Sequence, residues 1–160
     1  MSTDGDRARA GELLVEARRL MALQRTHLAI PLLNEALSLD PQASAIRYHA
    51  GALALRQGEP GAALRHLSLC VEKEPDHAAA WSRIGACHMI ARRYPAAAHA
   101  YLAASTGSGD ESGPSWHLAR ALRLCGRLGE AERALHAVYE AGNVETAAAH
   151  DHALLRLALG

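Results

Sequence analysis

An all-α fold built from repeated pairs of antiparallel helices is what the sequence predicts, and three observations carry that expectation. Alanine and leucine, 35 and 24 of the 160 residues, supply more than a third of the chain, whereas valine, isoleucine and threonine together number 12 and phenylalanine is absent. Strands favour β-branched and aromatic side chains, so this composition argues against any sheet-based fold. The second observation is an internal period of 34 residues: Leu37-Ser38-Leu39-Asp40-Pro41 returns as Val71-Glu72-Lys73-Glu74-Pro75, Gly51 returns as Gly85, and Ala29 as Ala63 and Ala97. Thirdly, turn formers sit at fixed places within the period, with Gly58 and Gly126 each between two stretches of about 13 residues that carry helical periodicity.

Residues 1–9 carry both charge signs and few apolar side chains, and predict a flexible polar arm with no secretory signal. Four units then follow in register, at 10–43, 44–77, 78–111 and 112–145. Pro60 and Pro95 lie at or just before the starts of second helices, where a missing N–H costs little. Pro41 and Pro75 should end second helices, because the residue before a proline avoids the helical region. Ser105 to Pro114 is rich in turn formers and predicts an exposed loop, either a loosened turn between units or a hinge. The stretch 146–160 predicts a last amphipathic helix, with Leu154, Leu155, Leu157 and Leu159 available to cap the fourth unit.

A 34-residue period with a small residue at position 8, alanine at 20 and proline at 32 resembles the tetratricopeptide repeat family. The third unit carries the pattern most fully, with Trp81, Ile84, Gly85, Ala97, Tyr101 and Ala104 at positions 4, 7, 8, 20, 24 and 27. The second keeps Gly51, Gly58, Ala63, Leu67 and Pro75. In the fourth, Ala119 replaces the first glycine and Asn143 the proline; in the first, Ala17 replaces glycine and Gln24 occupies the turn. The resemblance implies a right-handed helical solenoid that binds other proteins. Ile84-Gly85-Ala86-Cys87 with Tyr94, Ala97 and Tyr101 is also similar to the middle repeat of type III secretion chaperones for translocator proteins, though those usually carry three repeats. A further alternative is the non-catalytic accessory subunit of an enzyme complex.

Other classes of function find little support. Seventeen basic residues balance 17 acidic ones, so the cationic surplus of a nucleic-acid binder or a polybasic membrane anchor is missing. No apolar run reaches the ~18 residues of a membrane span. Cys70, Cys87 and Cys125 are odd in number and widely spaced, which fits a reduced, cytoplasmic protein better than a disulfide scaffold. Cys70, at a repeat position that usually holds a small buried residue, is expected to be a core thiol. His150 and His152 are two apart and point to different sides of a helix, and no Cys/His pair has zinc spacing. The expectation is therefore a protein without catalytic residues, metal or cofactor, whose partner is another protein offering a helix or an extended segment. Homo-oligomerisation is compatible with that expectation.

The resemblance also implies where the partner lies. In the family, positions 2, 5, 9, 12 and 13 of each first helix tend to face the concave groove. Here they give Leu14, Arg18 and Met21 in the first unit, and Tyr48, Ala52, Leu55 and Arg56 in the second. The third gives Ser82, Ala86, Met89 and Ile90, and the fourth Trp116, Arg120, Arg123 and Leu124. Methionine adapts to irregular partners, and tryptophan and arginine are favoured anchors. Leu55 and Met89 share one repeat position, so stacking is expected to place them side by side. The lysine and asparagine clamp with which some members hold a C-terminal carboxylate has no counterpart at the matching positions.

Overall fold

The structure, a computed structural model, describes residues 3–107 and 116–140. Eight helices account for most of them: α1 (Asp4–Ala22), α2 (Thr26–Leu39), α3 (Ser44–Arg56), α4 (Pro60–Lys73), α5 (Ala78–Ile90), α6 (Tyr94–Thr106), α7 (Trp116–Leu124) and α8 (Leu128–Glu140). The described residues contain no strand. The chain divides into two compact units, residues 1–75 with α1 to α4 and residues 76–160 with α5 to α8. Helices α3 and α5 begin at the first residues of the second and third 34-residue repeats.

One turn is used four times. Leu20, Ala54, His88 and Leu122 are spaced by 34 residues, and each carbonyl accepts from the N–H five residues on, at 2.8–3.0 Å. That bond closes a helix end whose following residue is left-handed. The left-handed residues are Gln24 (φ 61°), Gly58 (φ 78°), Arg92 (φ 56°) and Gly126 (φ 77°), again one period apart. Two of the four turns therefore hold a side chain where only glycine is unstrained. The second helices of the first unit stop as their prolines require: Asp40 and Glu74, just before Pro41 and Pro75, have left the helical region at φ −132°, ψ 84° and φ −127°, ψ 80°.

Each unit builds its own core. In the first, Leu13 and Ala17 of α1, Leu33 and Ala36 of α2, and Ile46 and Leu53 of α3 form one buried cluster. In the second, Ala97 and Tyr101 of α6 meet Leu118, Ala119 and Leu122 of α7 and Ala131 and Leu135 of α8. Close approach within a pair depends on the small residue at position 8. A methyl group on Gly51 would stand 2.7 Å from Leu67 Cγ, and one on Gly85 2.7 Å from Tyr101 Cε1.

Two expectations change. Helix α1 starts at Asp4, inside the stretch predicted as a flexible arm over 1–9. The physical reason is a capping box, in which Thr3 Oγ1 accepts from Asp6 N at 3.1 Å and Asp6 Oδ2 accepts from Thr3 N at 2.9 Å. Ser105 and Thr106, expected in a loop, close α6 instead, each donating its hydroxyl to the carbonyl three residues back. The remainder of the predicted loop, 108–114, and the predicted capping helix over 146–160 lie outside the described residues.

Candidate partner-binding face

Helical geometry places the predicted groove residues in stripes. Positions 82, 86, 89 and 90 of α5, and 116, 120, 123 and 124 of α7, are spaced i, i+4, i+7, i+8, which is one face of a helix. In the second unit the stripe on α7 lies opposite the buried Leu118, Ala119, Ala121 and Leu122. Ile90 is 59% exposed and Leu124 is 39% exposed, two large aliphatic side chains at one repeat position. Arg120 is exposed, while Ser82, Ala86, Met89, Trp116 and Arg123 are half-buried. Met89 packs against the second unit's core, so part of its surface serves the fold.

A row of rings ties α7 to that core. Tyr101, buried on α6, lies against Gly85 of α5 and stacks on His117 with centroids 5.3 Å apart and planes at 15°. His117 stacks in turn on Trp116 at 4.0 Å, and the Arg120 guanidinium stands 5.9 Å from the Trp116 centroid. Burial pushes the Tyr101 hydroxyl up to about 12, against a smaller opposing influence from Arg120. Nothing in the 34-residue pattern announces this row; an aromatic pair at 116–117 opposite a tyrosine was its only sequence signal.

In the first unit the stripe is less free. Helices α1 and α3 touch, and Leu14 and Met21 pack onto the core cluster. Ala52 is 4% exposed and offers shape rather than area. Arg56 reaches across to the α1–α2 turn, donating to Met21 O at 3.4 Å and to Gln24 Oε1. It thereby adds a second donor to the Met21 carbonyl, which already accepts from Gln24 N at 3.1 Å, a role hidden in the sequence. Arg18 is exposed, and Tyr48 and Leu55 are half-buried. Val15 and Leu102, 66% and 52% exposed, are apolar residues outside the predicted stripes.

The three thiols are poor nucleophiles. Burial raises Cys70 to about 11 and also raises Cys87 and Cys125, so the reactive thiolate is disfavoured near neutral pH. Cys70 and Cys87 are buried, as the core position of Cys70 required. Among the described residues no three His, Cys, Asp or Glu side chains are grouped to hold a metal ion. None of the described helices is long and apolar enough to cross a membrane.

Residues 20–87 match the sequence model of the tetratricopeptide repeat family. No curated protein matches the chain significantly. Among solved structures, MamA protein is similar with a TM-score of 0.75 and 19% identity, over 84% of this chain and 73% of MamA. PilF of Pseudomonas aeruginosa superposes with a TM-score of 0.78 at 16% identity, over 95% of this chain and 69% of its own. The Sgt2 tetratricopeptide repeat domain of Aspergillus fumigatus gives 0.64 at 26% identity, over 82% of this chain and 84% of that domain. At such low identity the first two likenesses speak for the fold alone. Residues 20–87 are thus tetratricopeptide repeat sequence, and the helix pairs of both units carry the tetratricopeptide repeat fold.

Proposed function

We propose that the protein is a non-catalytic protein–protein interaction module, an adaptor or chaperone-like protein working in the cytoplasm. Its first helices hold a helix or an extended segment of another protein. One observation carries this reading: Ile90 and Leu124 stand exposed at the same repeat position on α5 and α7, on stripes opposite the core. Single exposed aliphatics are ordinary, but two at equivalent positions beside a half-buried tryptophan and methionine form an anchor of the kind interfaces use. Tyr48 and Leu55 on α3, and Leu14, Arg18 and Met21 on α1, are proposed as the equivalent face of the first unit.

The test is capture of partners by the tagged protein after chemical cross-linking, compared with Ile90→Asp/Leu124→Asp. Both side chains are exposed, so the variant should keep the wild-type helical spectrum. Loss of a stoichiometric partner is expected, since an unpaired carboxylate buried in an apolar contact costs on the order of several kcal/mol, more than a neutral polar group does. An equal set of partners on wild type and variant would refute the face. Leu55→Asp/Met89→Asp is the weaker test, because Met89 also packs on the core.

A further inference from the structure

Two of the four turns hold a side chain in the left-handed region, Gln24 at φ 61° and Arg92 at φ 56°, where Gly58 and Gly126 show that glycine fits. A residue kept in a strained conformation against its preference has to be held by something around it. At Gln24 the structure shows what holds it. Arg56, the last residue of α3, donates through Nη2 to Gln24 Oε1 and through Nη1 to Met21 O at 3.4 Å. Glycine at 24 would leave the first of these bonds without an acceptor.

The pair lies 32 positions apart and joins the turn of one repeat to the end of the next repeat's first helix. The same offset in the second unit gives Arg92 and Leu124, and an aliphatic side chain has no N–H to donate. Leu124 stays 39% exposed there, and Ile90, at the same repeat position, 59%. In the first unit the equivalent position is instead engaged by the turn. Beside it, Leu53 of α3 is buried in the cluster it shares with α1 and α2, and Met21 packs onto that cluster. Apolar contact sets α3 against α1 without direction, whereas the arginine ties the end of α3 to one point of the turn.

We propose that Gln24 is a positioning residue, kept in a left-handed turn because its amide oxygen holds Arg56 and so latches the end of α3 to the α1–α2 turn. The latch joins the first helices of two successive repeats, whose Leu14, Met21, Tyr48 and Leu55 make up the first unit's proposed partner face. It rests on the protein-binding function only for the use of that face; the latch itself is a property of the free protein.

Both side chains are exposed, so substitutions at either should leave the chain folded. In a thermal double-mutant cycle on the full chain, Gln24→Gly should raise the melting temperature more in the Arg56→Leu background than in wild type, by at least about 2 °C. Gln24→Glu keeps an acceptor and should still couple to Arg56, whereas Gln24→Met, similar in length but without one, should not. Amide exchange followed by NMR reads the turn itself. Gln24→Met should speed exchange at Arg25, whose N–H is bonded to Leu20 O, at least about threefold. Arg127, in the equivalent turn of the second unit, should exchange as in wild type. Additive melting temperatures would overturn the proposal, because Gln24 and Arg56 would then not support each other. So would equal coupling of Gln24→Met and Gln24→Glu to Arg56, or exchange at Arg25 that is the same in Gln24→Met as in wild type. None of these measurements needs a partner. An additive cycle therefore removes the latch and leaves the interaction function standing, while unchanged capture by Ile90→Asp/Leu124→Asp would refute the proposed face and leave the latch.

Discussion

Replacing Gly85 with alanine sets two effects of opposite sign against each other. Alanine is favoured over glycine inside a helix by about 1 kcal/mol, which alone would stabilise α5. The added methyl group, however, would lie 2.7 Å from Tyr101 Cε1 and 2.8 Å from both Cδ1 and Cζ. Carbon atoms are at ease near 3.5–4.0 Å, and the tyrosine has little room to move because its far side stacks on His117. Overpacking of this kind costs roughly 1–3 kcal/mol, so the clash should win by up to about 2 kcal/mol. For a chain of this size, each kcal/mol corresponds to about 2–4 °C in melting temperature. Gly11, in the middle of α1, is the control, since a methyl group there meets nothing within 4 Å. Gly11→Ala should therefore raise the melting temperature by a few degrees, read from ellipticity at 222 nm, while Gly85→Ala lowers it. A double-mutant cycle with Tyr101→Leu should show coupling on the order of 1 kcal/mol. If Gly85→Ala matched Gly11→Ala in sign, the close approach of α5 and Tyr101 would not be what position 8 is for.

Ala97→Leu, at a fully buried site of the second unit's core, should cost roughly 1–3 kcal/mol in urea unfolding. Arg92→Gly should stabilise by up to about 1 kcal/mol by removing a side chain from a left-handed turn, whereas Gly58→Ala in the equivalent turn should destabilise by a similar amount. His66 and His88 are part-buried with a ring nitrogen lacking a hydrogen-bond partner, and burial, then nearby arginines, lower both from the ordinary 6.5. The unfolded chain then binds more protons, so stability present above pH 6.5 should fall as pH drops below it, and His66→Gln should flatten urea midpoints between pH 7 and 5, about the range histidine titrates.

Much of the fold was legible because a repeat multiplies weak signals. A lone glycine at position 58 marks a turn ambiguously, but its return at 126 sets a frame that Gln24 and Arg92 then inherit. Neither of those side chains would announce a left-handed residue by itself, and only the 34-residue offset points to them. The start of α1 was missed for the opposite reason. Mixed charge over 1–9 suggested an arm, yet Thr3 and Asp6 have the spacing of a capping box, and acidic residues favour a helix N-terminus. Two local residues outweighed the average polarity of nine.

The candidate face was legible only as stripes. Spacing tells which side chains share a side of a helix, but not how much of each a neighbouring helix takes. Met89, Leu14 and Met21 give part of their surface to a core, Arg56 is bound to the turn after α1, and Ile90 and Leu124 stay open. The ring row shows why the two kinds of residue cannot be treated apart. Tyr101 is wedged between Gly85 and His117, His117 supports Trp116, and Trp116 orients Arg120. Each contact removes freedom from the next side chain before any partner arrives, and ordering a side chain on binding otherwise costs about 0.5–1.5 kcal/mol. A glycine buried at position 8 of α5 therefore serves the surface of α7 as well as the core. On the α3 stripe the charged residue is held differently, since Arg56 is drawn back to its own unit's turn by hydrogen bonds to Met21 and Gln24.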